Sequence, residues 1–304
     1  MRIQEVVVSA QLACLLEVSA QKPGNVGRYR DFRDTRFEHF LASAVAIEGP
    51  IRLAAVLGYR AGRGSLELGA VGIGGLIEGA VAESRRWHRG KNTNLGIAML
   101  LVPLSAACGF GIGRRETENE ALRRHADALM KATTYEDTLG LYRAIRSLEP
   151  SWLGKVARLD VRNKGMDRKI EKERLNLYAV MAMTKGDSIA RELTTGFEIT
   201  FTLGYNTIMR GLKERGEMGE ATVRAFLEIL SRYPDSLITR KKGIAAARRV
   251  SEEARGVLEG GLKPEELEAF DARLRDPDNS LNPGTTADLV ASSLMVALLN
   301  GARP

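Results

Sequence analysis

The most apolar stretch of the chain reads Leu95-Gly96-Ile97-Ala98-Met99-Leu100-Leu101-Val102-Pro103-Leu104-Ser105-Ala106-Ala107-Cys108. It is too short to span a membrane, because a spanning helix needs about 20 apolar residues. Pro103 and Ser105 also interrupt it. The stretch therefore predicts a buried helix of a soluble protein, and we expect no membrane partner.

Helical spacing of apolar residues extends on both sides of this stretch, beginning with Ile3, Val7 and Ala10. Residues 197–203 alternate like a strand, but they lie inside a long helix-compatible region, and no hairpin dipeptide joins two alternating runs. We therefore predict an all-α fold, a single compact multi-helix domain over residues 1–304. The further predicted helices cover about 2–20, 37–48, 67–87, 117–131, a segment from 134, 169–183, 188–215, 220–231, 236–258, 264–273 and 286–299.

Composition is that of an ordinary globular protein. In 304 residues, 44% are apolar and 27% charged, which excludes a disordered chain. The formal net charge of +7 attracts anionic partners. Two cysteines, Cys14 and Cys108, cannot build a disulfide framework, and no secretory signal is recognised, so we expect a cytoplasmic protein. Small residues such as Gly72, Gly75 and Gly79 indicate close helix packing, within the chain or in a possible homodimer.

The first of four unusual loops spans residues 22–35 and precedes a helix. Asp31 and Asp34 are three residues apart, and carboxylate oxygens are the ligands that Mg²⁺ prefers. Alternatively, Asp34 or Thr35 caps the next helix and the arginines form a solvated, salt-bridged turn.

The second loop, residues 90–96, leads directly into the apolar stretch. Small residues at a helix start leave backbone N–H groups free, and the helix dipole there favours anions. Asn92, Thr93 and Asn94 are equally ordinary caps. Outside this loop, His88 and His125 stand among arginines and are expected to face solvent.

The third loop, residues 234–243, places Asp235 and Ser236 before a helix that carries three cations. The fourth, residues 282–291, has a Pro-Gly turn followed by hydroxyl residues, with Asp288 expected in the first helical turn. Taken alone, each loop is most simply a capped helix start.

Together and in order, the four loops resemble the motifs of the triphosphoribosyl-dephospho-CoA synthase family. The family's Glu and Pro-Lys-Pro-Gly-Leu-Val-Asp resemble Glu17 and residues 22–27, and its Gly-Val-Asn-Thr-His-Lys-Gly resembles residues 90–96. Its Asp-Thr-Asn-x-x-x-Arg-Gly-Gly resembles residues 235–243, and its Pro-Gly-Gly-Ser-Ala-Asp-Leu-Leu-Ala resembles residues 283–291. Gly27 replaces the family's Asp, and Asn94 and Leu95 replace its His-Lys pair, which leaves the acceptor open.

The resemblance implies an ATP-dependent transferase. The ribose 2′-hydroxyl of 3′-dephospho-CoA, or of a related acceptor, attacks C1′ of ATP, adenine leaves and the triphosphate stays. Mg²⁺ is the implied cofactor, and nucleotides, not nucleic acids, are the partners. The implied catalytic residues are Asp31, Asp34 and His39, and the implied metal ligands are Asp31, Asp34 and Asp137. The implied nucleotide- and phosphate-binding residues are Lys22, Gly24, Asn25, Asn92, Thr93, Asn94, Gly96, Asp235, Lys242, Gly284 and Asp288.

Three alternatives stay open. A nucleotide or ribosyl hydrolase, or another phosphoribosyl-type transferase, would use the same helical scaffold. A nucleic-acid-binding protein is permitted by the charge, but its arginines are scattered and have few aromatic neighbours. A non-catalytic helical scaffold would use the four loops only as caps.

Overall fold

The computed structural model describes residues 1–148, 161, 163 and 165–304. The described residues fold into α-helices with no strand among them, so the all-α prediction is confirmed. The helices are α1 (Ile3–Ser19), α2 (Phe37–Ala46), α3 (Glu48–Gly62), α4 (Ile73–Trp87), α5 (Leu95–Arg114), α6 (Asn119–Lys131), α7 (Tyr135–Ser147), α8 (Gly165–Glu173), α9 (Leu177–Met183), α10 (Ser188–Thr194), α11 (Tyr205–Arg215), α12 (Met218–Arg232), α13 (Ser236–Lys242), α14 (Ile244–Glu259), α15 (Pro264–Leu274) and α16 (Gly284–Leu299).

Helix α5 runs through the core, packed against α1, α3, α4, α6 and α16. It is the buried helix that the apolar stretch predicts, and it continues through Pro103 and beyond Cys108 to Arg114. Proline inside a helix removes a hydrogen bond, and here burial on all sides offsets that loss. By length and hydropathy, two helical stretches of the described chain, Phe37–Gly62 and Leu95–Arg114, are long enough to cross a membrane, and 89% of the second is buried within the protein.

Glycines let the backbones of α3 and α5 touch. A Cβ atom added at Gly58 would overlap the carbonyl oxygen of Ala106, and one added at Gly109 would overlap that of Ala55. The small-residue faces of these two helices are therefore used within the chain. The close packing fixes α5, and with it the position of the α5 N-terminus.

In the N-terminal half, the structure differs from the prediction in which glycine packs closely and in the number of helices. Gly72 has a positive φ of 72° and links a short 3-10 helix, Leu68–Val71, to α4. The glycine of α4 in close backbone contact is Gly74, against Asp137 of α7. Helix α3 was not predicted; Gly49 and Pro50 lie in its first turn, where proline is tolerated.

In the C-terminal half, three long predicted helices are each divided. The region 169–183 forms α8 and α9, and Gly243 separates α13 from α14. The region 188–215 breaks at Gly196 and Phe197, both with positive φ, and resumes in a π-helical segment, Thr200–Gly204. The strand-like residues 197–203 are therefore largely helical, as predicted.

Candidate functional site

Asp235 joins the third loop to the fourth. One carboxylate oxygen accepts hydrogen bonds from the N–H groups of Leu237 (2.8 Å) and Ile238 (3.1 Å), which caps α13. The other accepts from the N–H (2.7 Å) and hydroxyl (2.8 Å) of Thr286 in α16. Asp235 is only 1% exposed. One buried acid therefore fixes the starts of two helices against each other.

The second loop meets the fourth at Gly96. A Cβ atom added at Gly96 would overlap Oδ2 of Asp288 and lie 2.8 Å from Cδ1 of Ile189 in α10. The N-terminus of α10 reaches the same place, since the N–H of Ser188 donates to the hydroxyl of Ser236 at 3.5 Å. The first turns of α5, α10, α13 and α16 thus converge.

The first loop meets the fourth through α15. The N–H of Gly24 donates to Asp271 at 2.7 Å, and a Cβ atom at Gly24 would lie 2.7 Å from Cβ of Leu274 and 3.1 Å from Cδ of Pro283. Arg275 donates to the carbonyl oxygen of Asn25 at 2.5 Å. Gly24 and Asn25, predicted to bind phosphate, therefore use these backbone groups to anchor the loop.

The second loop meets the first loop at an exposed ion pair and meets helix α2 at a buried contact and a ring contact. Lys91 forms an ion pair with Asp34 at 2.6 Å, and the hydroxyls of Ser43 and Thr93 lie 2.6 Å apart. The rings of His39 and His88 stack with centroids 5.3 Å apart. All four loops quoted from the sequence therefore come together in space.

His88 is half-buried and does not simply face solvent as expected. Its Nδ1 accepts a hydrogen bond from the N–H of Gly90 at 3.1 Å, and Nε2 lies 3.1 Å from the hydroxyl of Thr93. Burial, then His39 and Arg85, lower the pKa of His88, so the neutral ring with Nε2 as donor fits both contacts. His125 is also not solvent-facing: it is 7% exposed and bonded to Glu116 at 3.0 Å.

Buried and half-buried acids surround the meeting point of the helix N-termini. Glu17 pairs with Lys22 at 3.0 Å, and both side chains are buried. Asp187 caps α10 through the N–H of Ala190 at 3.0 Å and pairs with Arg240. Asp288 differs from these, because it makes no hydrogen bond or ion pair with any described residue. Burial first, then the charges of Glu17, Asp235 and Asp187, raise the pKa of Asp288 well above its usual range.

An open cavity of about 500 Å³, solvent-facing space included, lies beside the second loop. Its lining combines cationic side chains with small polar groups, as an anion-binding cleft requires. The lining residues are Ser84, Arg85, His88, Gly90, Lys91, Asn92, Thr93, Asn94 and Leu148. The predicted phosphate-binding residues Asn92, Thr93 and Asn94 therefore share one cavity wall.

Within this wall, the predicted residues also hold the loop. The side-chain oxygen of Asn92 accepts from the N–H of Leu95 at 3.0 Å, which caps α5. The side-chain amide of Asn94 donates to the hydroxyl of Ser84 at 2.5 Å. Asn92 and Asn94 therefore line the cavity and also fix the conformation of the loop.

The acids predicted as catalytic or metal-binding do not form one centre. Asp31 is exposed and accepts from the N–H of Phe37 at 2.7 Å, at the start of α2. Asp34 is held by Lys91, which lowers its pKa. Asp137 is 2% exposed, and its two oxygens accept from the N–H groups of Gly74 (2.8 Å) and Thr134 (2.7 Å). In the described chain no group of three or more His, Cys, Asp or Glu side chains is arranged to hold a metal ion.

The described chain therefore does not bring the predicted ligands Asp31, Asp34 and Asp137 together as one group, and a role for any of them in binding Mg²⁺ stays a prediction. The physical reason is local: Asp137 caps α7 in a box with Thr134, and its hydrogen bonds bind it to α4 and α7. His39 lies beside the cavity, since its ring packs against Gly90 and stacks on His88, which both line it. Its Nδ1 accepts a hydrogen bond from the N–H of Arg36 at 3.1 Å.

Sequence reasoning missed two cations and one helix start. Lys91 lines the cavity. Lys241 is half-buried and interacts with the charges of Asp34, Asp235, Asp276 and Lys91, whereas the predicted Lys242 is exposed. The start of α13 at Ser236 agrees with the predicted one, so the tertiary packing of the helix, and not its start, decides which of the two lysines faces the site. Asp288 is the fifth residue of α16 and not a first-turn residue, because α16 begins at Gly284, two residues before its predicted start.

The comparisons with known proteins agree with the geometry. The family model CitG, described as ATP:dephospho-CoA triphosphoribosyl transferase, matches residues 3–304. A crystal structure of a candidate triphosphoribosyl-dephospho-CoA synthase from Archaeoglobus fulgidus is similar, with a TM-score of 0.65 and 26% identity, covering 86% of this chain and 100% of that one. No curated protein matches. The family match spans almost the whole chain and all four loops, so this chain belongs to the CitG family of ATP:dephospho-CoA triphosphoribosyl transferases.

Proposed function

We propose that this protein transfers the triphosphoribosyl group of ATP to the ribose 2′-hydroxyl of 3′-dephospho-CoA or a closely related acceptor. The bond from C1′ to adenine breaks, adenine leaves, and the new bond joins C1′ to the acceptor oxygen. The observation that carries the proposal is the convergence of four loops from both ends of the chain, together with the family match over residues 3–304.

The charge arrangement supports a polyphosphate ligand. Helix N-termini favour anions, and those of α5, α10, α13 and α16 converge here. Lys91 and Lys241 stand at the edge of the cleft, near Asp34. Arg85 lies on the cavity wall. A triphosphate entering the cleft would replace Asp34 as the partner of Lys91.

Mg²⁺ enters, in this proposal, with ATP. The described acids form no cage of their own, and Mg²⁺ is commonly held by substrate phosphates with one or two carboxylates. We expect a chelator to abolish turnover while leaving the melting temperature of the ligand-free protein unchanged. A resident structural metal would instead lower that melting temperature. We further propose a cytoplasmic protein whose partners are small nucleotides.

The test is adenine release measured by chromatography, with ATP, Mg²⁺ and either 3′-dephospho-CoA or no acceptor. The transferase releases adenine only with the acceptor and yields a product of the summed mass less adenine. A hydrolase on the same scaffold would release adenine without any acceptor. Coenzyme A is the matched control acceptor, because its 3′-phosphate adjoins the attacking hydroxyl. Absence of ATP binding by calorimetry would contradict the proposal.

A further inference from the structure

The described acids at the meeting point of the loops include Asp288 and four others that are committed to other groups. Asp235 holds four donors. Glu17 is paired with Lys22, Asp187 with Arg240, and Asp34 with Lys91. Asp288 alone makes no hydrogen bond or ion pair with a residue that the structure describes. Leaving a half-buried carboxylate uncompensated costs stability, so its position calls for a functional reason.

The carboxylate of Asp288 lies against Gly96, in space that the side chain of any other residue at position 96 would fill. Its Oδ2 lies so close to Gly96 that any Cβ there would overlap it. Gly96 belongs to the second loop and Asp288 to the fourth, so the contact places the acid between the two. Because Asp288 is the fifth residue of α16, it caps no helix. The side chain is therefore positioned by packing, and no described residue hydrogen-bonds to either of its oxygens.

We propose that Asp288 is the general base that accepts the proton of the acceptor hydroxyl. The inference rests on the proposed transfer reaction. The O–H bond of the 2′-hydroxyl breaks and its proton passes to an oxygen of Asp288. The oxygen lone pair forms the bond to C1′ of ATP while the bond from C1′ to N9 breaks. That electron pair leaves on adenine, which takes a proton from solvent, and Asp288 returns its proton to solvent.

The electrostatic surroundings suit this role. Burial and three neighbouring carboxylates raise the pKa of Asp288, against one lowering charge, and a base works best when its pKa approaches the working pH. The titratable and charged groups that face it come from α1, α10, α13 and the loops before them. They are Cys14, Glu17, Asp187, Asp235 and Arg240.

The experiment compares wild type with Asp288→Asn at saturating ATP and acceptor. Loss of a general base typically lowers kcat about 100-fold or more. ATP affinity by calorimetry should stay within a few-fold. The variant should also melt at a higher temperature than wild type, because a poorly compensated charge is removed, whereas a purely structural acid would give a lower one.

Two further variants keep the test decisive. Asp288→Ala should regain activity with added formate, which supplies an external carboxylate. Glu192→Gln is the matched control, since Glu192 is fully buried but its oxygens accept from the N–H groups of Ile199 (2.7 Å) and Thr200 (2.8 Å). It should lose stability and keep kcat.

The outcomes separate the two proposals. A wild type that releases no adenine overturns both the reaction and the role of Asp288. An active wild type whose Asp288→Asn variant keeps kcat overturns the role of Asp288 alone. Loss of ATP binding with normal kcat at saturation would make Asp288 a binding residue and would also overturn it.

Discussion

The site has two halves that use the same residue types differently. In the inner half, built from Asp235, Thr286 and the Glu17–Lys22 pair, acids are buried and hydrogen-bonded. In the outer half, residues 31–39 and 88–92, the acids Asp31 and Asp34 are exposed. Buried polar groups must be satisfied or they cost stability, whereas exposed ion pairs contribute little. The inner half therefore holds the fold, and the outer half is free to exchange partners with an anion.

The sharpest test of this contrast is Asp235→Ala. It leaves three N–H groups and one hydroxyl without their acceptor in a buried place. We expect a loss of about 3 kcal/mol or more in the free energy of unfolding, measured by urea denaturation. Asp31→Ala removes a single exposed hydrogen bond and serves as the comparison, at about 1 kcal/mol. Equal losses for the two variants would remove the distinction between the halves.

Gly96→Ala tests how the halves are joined. The added methyl group must displace Asp288 or Ile189. Overpacking of this kind lowers the free energy of unfolding by about 1–3 kcal/mol. Turnover should fall along with stability. Gly75→Ala is the control, because Gly75 is an exposed helix residue with open space around its Cβ position. The free energy of unfolding of that variant should rise by about 0.5–1 kcal/mol. A comparable loss of stability in both variants would contradict the close contact between Gly96 and Asp288.

The Lys91–Asp34 pair should matter little for stability and more for ligand binding. A double-mutant cycle should give a coupling of about 0.2–1 kcal/mol that weakens in salt. Lys91 lowers the pKa of Asp34, so the coupling is present above the unfolded pKa near 4 and is lost as pH falls through the lower folded pKa. Lys91→Ala should raise the KM for ATP. An unchanged KM would show that Lys91 does not meet the nucleotide.

The smallest effect is expected at His88. Its lowered pKa means that folding favours the neutral ring, so its contribution is present above the unfolded pKa near 6.5 and decreases as pH falls below it. His88→Gln should flatten the pH dependence of unfolding between about pH 7 and 5. His125→Gln is the control outside the outer half. An unchanged slope in His88→Gln would show that His88 titrates normally.

Local signals were readable from the sequence. The apolar period gave most helices, and the segment predicted to begin at 134 is α7, with Thr134 as its N-cap. Signals that depend on tertiary context were not readable. Gly49-Pro50 looks like a break but lies in the first turn of α3. The break near Phe197 requires a positive φ at a residue that rarely adopts it.

The candidate site was predictable as a set of loops but not residue by residue. The motifs come together because each lies at a helix end, and helix ends are recognisable from caps. Whether a carboxylate oxygen already accepts a hydrogen bond within the protein depends on contacts between residues more than a hundred positions apart, such as that between Gly96 and Asp288. No spacing in the sequence distinguishes Asp288 from Asp137, although one lacks a described partner and the other holds two N–H groups.

The packing of α1 against α16 has a consequence for synthesis. Glu17 lies in the last turns of α1 and Lys22 just after it, at one end of the described chain, while Asp288 lies in α16, near the other. During translation the first loop is made long before the acid that faces it, and the site stays incomplete until α16 has left the ribosome. A growing or C-terminally shortened chain should therefore not bind nucleotide, so ATP affinity reports on completion of the chain as well as on its folding.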